Sequence, residues 1–137
     1  MVKSLSVAST STTSVGVGPG DDRCRAEVLA VLSSEAFQRS PKLSRLLRYL
    51  CDKQFNGLTS EITEYAIALE VLGRTSQFDP QHDAVVRVDT HHLRKRLKEY
   101  YAGAGAGHAI EIVIPSGQYA PEFVLRGAAM QIGRAHV

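Results

Sequence analysis

Residues 83–101, DAVVRVDTHHLRKRLKEYY, decide how the rest of the chain is read. At about 100° of rotation per residue, Val86, Thr90, Leu93, Leu97 and Tyr101 line up as one stripe with spacings of four, three, four and four. That spacing belongs to a helix with one buried face. A second stripe, roughly 140° around the same cylinder, holds Arg87, His91, Arg94 and Lys98, with Lys95 beside it. One face can be buried in a small domain while the other presents donors to an anion. Asp83 is placed to cap the helix and Gly103 to end it. A solvated basic face on an isolated helix has the same pattern, so the neighbouring segments decide between the two.

The chain has 137 residues, 44% hydrophobic and 22% charged, which fits one soluble domain. A formal charge of +2 does not by itself argue for nucleic acid; its distribution is more informative. Arg87, Arg94, Lys95, Arg96 and Lys98 fall within twelve residues that contain one acid, Asp89. Arg39, Lys42, Arg45, Arg48 and Lys53 form a second basic segment, and Glu61, Glu64, Glu70, Asp79 and Asp83 lie between the two. Cys24 and Cys51 fall on apolar helix faces and are expected to be core residues rather than a disulfide pair. No apolar run approaches the roughly 18 residues of a membrane span, and the N-terminus has no signal-peptide pattern. No membrane contact by this segment and a cytoplasmic location are expected.

Residues 1–20 carry no periodicity and are expected to be a disordered leader, with the domain at 21–126 and an unstructured tail at 127–137. A first helix, capped by Asp21 or Asp22, should run to Phe37 and bury Cys24, Val28, Val31 and Leu32. Ser40-Pro41 offers a capping hydroxyl and then proline in the first helical position. The helix that follows should end near Phe55, burying Leu43, Leu46, Leu47, Leu50 and Cys51. Ser60 should open a third helix with Ile62, Tyr65, Ala66, Leu69 and Leu72 inward, ending at Gly73. Residues 73–82, GRTSQFDPQH, form a polar loop with a turn at Asp79-Pro80 and Phe78 as its anchor. Beyond the long helix, AGAGAG (102–107) is expected to be a flexible tether. Ile110, Ile112 and Ile114 then alternate with Glu111 and Val113 as a half-buried strand. Pro115-Ser116-Gly117 turns the chain, and residues 118–125 return with Tyr119, Phe123 and Leu125 on one face, Pro121 marking an edge or a break. The fold class is mainly α with a C-terminal β-hairpin, in the element order of a winged helix-turn-helix.

TSEITEYAIALEVLGR (59–74), VVRVDTHHLRKRL (85–97) and IEIVIPSGQY (110–119) resemble the helix-turn-helix and wing of OmpR/PhoB-type domains. Residues 22–125 more closely resemble a bacterial winged-helix domain at the N-terminus of longer regulatory proteins. There segments like LSRLLRYL, EYAIALEVLGR, FDPQHDAVVRVD, LRKRLKEYY and PSGQYAPEF recur in this order. The resemblance implies a transcriptional regulator with 85–101 as recognition helix, 110–125 as wing, and double-stranded DNA as partner. It further implies that loop 73–84 can touch RNA polymerase, and it leaves room for a homodimer. Three positions depart from the OmpR/PhoB pattern. A helix at 22–37 stands where that type begins with a small sheet, His91-His92 replaces a frequent arginine pair, and Pro115 stands at a frequent wing arginine.

The DNA-binding candidates are therefore Arg87, His91, Arg94, Lys95 and Lys98, with Arg94 spaced for bidentate contact to guanine. Arg96 points away from the stripe and is expected to pair with Asp89. His91 and His92 point about 100° apart and are poorly arranged to share a metal; Asp79, His82 and Asp83 read more simply as a capped turn than as a cation site. No cofactor is implied, and the chain holds neither a glycine-framed serine nor a metal-spaced His/Cys cluster, so an enzyme is not expected. The competing reading is a winged-helix interaction or dimerisation module whose basic helix docks on an acidic protein surface. The tail ends in residues 132–137, which resemble one reading frame of a sequencing adapter. The native chain is therefore expected to differ beyond about residue 126–131.

Overall fold

A computed structural model describes residues 20–126; the expected leader (apart from Gly20) and tail lie outside the described residues. The chain folds as helices α1 (Asp21–Ser33), α2 (Glu35–Gln38), α3 (Pro41–Phe55), α4 (Glu64–Glu70) and α5 (Val85–Ala102). An antiparallel hairpin follows, made of β1 (Ile110–Val113) and β2 (Glu122–Leu125). The architecture is thus mainly helical with a C-terminal two-stranded hairpin. Among the described residues no helix is long and apolar enough to cross a membrane.

The core is built where the periodic stripes meet. Leu43, Leu46, Leu47, Leu50 and Cys51 of α3 are all buried, as are Val86, Thr90, Leu93, Leu97 and Tyr101 of α5. Pro41 occupies the first turn of α3 as expected, but the Ser40 hydroxyl caps nothing. Instead the Ser44 hydroxyl donates to the Phe37 carbonyl at 2.7 Å, closing the corner between α2 and α3. Cys24 and Cys51 are buried, and burial pushes both thiols up.

The helix expected over 21–37 is two helices. The Ser34 side chain accepts a hydrogen bond from the Phe37 N–H and restarts the chain as α2, which drives Phe37 fully into the core. Gly20, not an aspartate, is the N-cap residue of α1; Asp21 and Asp22 lie in its first turn, where their charge complements the helix dipole. The third helix also differs from expectation. Residues Thr59–Glu61 form a single 3₁₀ turn, and α4 begins at Glu64 with Thr63 as the cap accepting from the Ala66 N–H. Its buried residues are Ile67 and Ala68, while Tyr65 is exposed.

The hairpin pairs Ile110 with Leu125 and Ile112 with Phe123, with Gly117 turning the chain at a φ of 84° that side chains avoid. β2 starts only after the buried Pro121, so the strand expected from residue 118 is cut to its second half. Phe123 stacks on Phe55 with ring centroids 5.3 Å apart, seating the hairpin against the end of α3. Leu125, on the same face of β2 as Phe123, is exposed.

The glycine–alanine run is not a tether. Its amides close successive turns, with the Gly105 N–H donating to the Tyr100 carbonyl at 2.8 Å and the His108 N–H to the Gly105 carbonyl at 3.0 Å. A Cβ on Gly105 would lie 2.3 Å from the Tyr100 ring, which is boxed edge-to-face by Phe37, Tyr101 and His108. Gly105→Ala should therefore cost about 1–3 kcal/mol, the range for overpacking a filled site. Gly107→Ala, with nothing within 4 Å of its Cβ, should change stability by less than about 0.5 kcal/mol. Denaturant melts of the two variants side by side test this; equal losses would show that chain flexibility, not the Tyr100 contact, sets the requirement.

The run delivers the chain to a node between the first and last elements. Glu27 of α1 is buried, and its Oε2 accepts from the Tyr101 hydroxyl at 2.6 Å and lies 2.8 Å from His108 Nδ1. Burial, reinforced by the Glu27 carboxylate, raises the Tyr101 phenol well above its ordinary pKa. The Arg126 guanidinium covers the Tyr101 ring at 5.3 Å and donates to the Gly105 carbonyl at 3.1 Å.

Candidate nucleic-acid interface

α5 crosses the domain with one side against α3, α4 and β1 and the other to solvent. Asp83 meets its N-terminus one residue before the cap position. Its Oδ1 accepts from the Val85 N–H at 3.0 Å and its Oδ2 from Arg74 Nε at 2.7 Å. Those two donors, Arg74 first, hold the Asp83 carboxyl below the usual carboxylate range. Gly103 is the residue at which the helix stops. In the preceding loop Asp79 Oδ2 lies 2.6 Å from His82 Nδ1, and Asp79 Oδ1 accepts from the Gln81 N–H at 3.0 Å. Asp79, His82 and Asp83 thus bond within the loop and the helix start.

The five candidate residues divide into two sets. His91, Lys95 and Lys98 are exposed on the outer side of α5, together with His92 and Val88. Neither Lys95 nor Lys98 is ion-paired among the described residues. The exposed acid of the helix, Glu99, lies near its C-terminal end. The His91 and His92 rings tilt apart with centroids 6.1 Å from each other.

Arg87 and Arg94 sit at the edge of this face and are tied down. Arg87 pairs with Glu64 of α4 and donates to the Pro80 carbonyl at 2.9 Å, locking the loop and α4 to the start of α5. Arg94 reaches the hairpin: Nε donates to the Ile114 carbonyl at 2.8 Å, and Nη2 to the Pro115 and Gln118 carbonyls at 3.1 and 2.8 Å. The Nε–Nη2 edge that would grip guanine therefore holds the tip of the hairpin instead. In the chain alone, Arg94 thus serves as a brace between α5 and the hairpin. Sequence spacing had no means to find this, because its acceptors are backbone carbonyls twenty or more residues away.

The expected Arg96–Asp89 pair does not form. Asp89 is only 5% exposed, and its Oδ2 lies 3.1 Å from Lys42 Nζ on α3, an ion pair without hydrogen-bond geometry. Arg96 donates through Nη1 to the Ala36 carbonyl at 2.7 Å. Two residues seven apart on one helix lost to partners supplied by neighbouring elements.

Between the cationic stripe and the hairpin turn runs a cleft of about 380 Å³ lined by Arg87, His91, Arg94, Gly117, Gln118 and Tyr119. On the opposite flank of α5 a cleft of about 490 Å³ is lined by Lys42, Asp89, His92, Lys95 and Arg96, among others. In that second cleft the cations share the lining with the carboxylates of Asp89 and Glu99. Comparison with protein-family models, curated proteins and solved structures yields no match for this chain.

Proposed function

We propose that the domain is a DNA-binding winged-helix module of a transcriptional regulator, with α5 entering the major groove and the hairpin serving as wing. The observation that carries this reading is the outer face of α5, where His91, Lys95 and Lys98 stand exposed and the two lysines have no acidic partner among the described residues. Such a face offers cations to phosphates on both sides of a groove wide enough for a helix. Val88, 47% exposed between these cations, suits contact with a thymine methyl. Arg87 and Arg94 act on this view as positioning residues that fix α5 relative to α4 and the wing. The loop at 73–84, braced by Arg74 and Asp83, is the surface such a module would offer to RNA polymerase.

Binding of the full chain to mixed-sequence duplex DNA across a salt series tests the reading. Log affinity should fall linearly with log salt, with a slope of about −0.9 per phosphate contacted. Lys98→Ala should weaken all sequences alike and reduce that slope by about one. Arg96→Ala removes the same charge from the same helix, but from a side chain turned toward α2, so affinity should change by only about a few tenths of a kcal/mol at moderate salt. Equal losses in the two variants would make the effect one of net charge. No binding at low salt would transfer the stripe to the competing reading, an acidic protein partner.

A further inference from the structure

On the side of the domain formed by α1 and α3, away from the outer face of α5, one large apolar side chain stands out: Leu29, 59% exposed. It flanks an apolar groove of about 190 Å³ that includes Arg25, Leu32, Arg48, Asp52 and Phe55. At Leu32 and Arg48 this groove continues into a second cleft that reaches Arg45. The walls are rigid: Leu32 is buried, and the Arg25 guanidinium is stacked 4.4 Å above the Phe55 ring. Among the described residues Arg25, Arg45 and Arg48 take part in no ion pair, so the apolar floor is rimmed by three unpaired arginines against one carboxylate, Asp52, a net positive rim.

We propose that this α1–α3 groove docks an acidic amphipathic helix of another protein, its apolar stripe against Leu29, Leu32 and Phe55 and its carboxylates on Arg25, Arg45 and Arg48. A helix laid in an apolar groove with arginine at the rim is a recurrent mode of recognition. Charge selects this occupant over the alternatives. A second copy of the chain, using the same face, would set two net positive rims against each other, three arginines and Asp52 on each side. Residues 1–19 of this chain carry Lys3 and no acid, so they do not complement the rim either. A lipid surface would call for several protruding apolar side chains along a helix, whereas Leu29 is the one large exposed apolar residue lining these two clefts. The groove does not share its lining with Lys95 or Lys98, so docking there is independent of what α5 binds.

The test uses the full chain and a fluorescein-labelled peptide of about four helical turns, with leucine at helical spacing and glutamate at the remaining positions. Fluorescence anisotropy at moderate salt should show saturable binding. Leu29→Ser and Arg48→Ala should each weaken it about tenfold, the scale of losing one central anchor, and Lys95→Ala should leave it unchanged. Methyl signals of Leu29 and Leu32 should shift on titration. Both substituted side chains are exposed, and matched thermal melts confirm that the variants fold. The proposal is overturned by absence of saturation at millimolar peptide, by equal binding of a peptide of the same composition in scrambled order, or by insensitivity to Leu29→Ser. It is equally overturned if Leu29→Ser instead abolishes self-association in sedimentation, or abolishes binding to phosphatidylglycerol vesicles while the peptide does not bind.

Discussion

Leu93→Ala should cost the domain about 2–5 kcal/mol, the range for emptying a filled aliphatic site. Leu93 is fully buried on the side of α5 that packs against α3 and α4. Leu46, Leu47, Leu50 and Ile67 of those two helices belong to the same core cluster and are likewise without exposure, and packed helices have little freedom to collapse into the space. For a domain of this size each kcal/mol corresponds to about 4–8 °C in melting temperature, so a fall of more than about 8 °C is expected. A loss below about 1 kcal/mol in denaturant melts would mean that α5 is rotated relative to its neighbours, and the outer face assigned to Lys95 and Lys98 would rotate with it.

Arg94→Ala should cost about 1.5–3 kcal/mol, because it removes a charged donor from three carbonyls at the tip of the hairpin. Its effect on DNA should follow from that loss. With the hairpin released from α5, the proposed DNA affinity should drop for every sequence to a similar degree, and no single base-pair preference should relax. Arg94→Lys is the decisive companion. Lysine keeps the charge but has no planar fork with which to span separate acceptors, so a scaffolding role predicts that the lysine variant remains impaired in both melt and binding. If stability is unchanged in Arg94→Ala while one base preference is lost, the side chain leaves the hairpin for a base and the sequence-level expectation is restored.

What could be read from the sequence was whatever local periodicity determines. The inward residues of α3 and α5 come out as expected because each helix is long enough for its apolar spacing to select one face. α4 is too short for that. IALEVL presents apolar residues all around, so tertiary contact chose Ile67 and Ala68, and Thr63 displaced Ser60 as the start signal. The break at Ser34 hangs on one side-chain hydrogen bond. The order in AGAGAG comes from the Tyr100 ring, a contact invisible to composition. Within the candidate interface the charge stripe was legible and its division was not. Spacing locates cations, but which of them are held by Glu64, Pro80 or the hairpin carbonyls depends on how the elements pack.

The Glu27 node has a kinetic corollary. Its two bonds join residues 74 and 81 positions apart, so closing them requires ordering nearly the whole domain first. Loops of that span carry their closure entropy before any contact rewards it, which places the node after the folding transition state. Tyr101→Phe should then leave the refolding limb of a chevron nearly untouched and steepen only the escape from the native state, through faster unfolding. The bond acts as a latch on residence time: it governs how long the assembled domain persists once made, not how quickly it is reached.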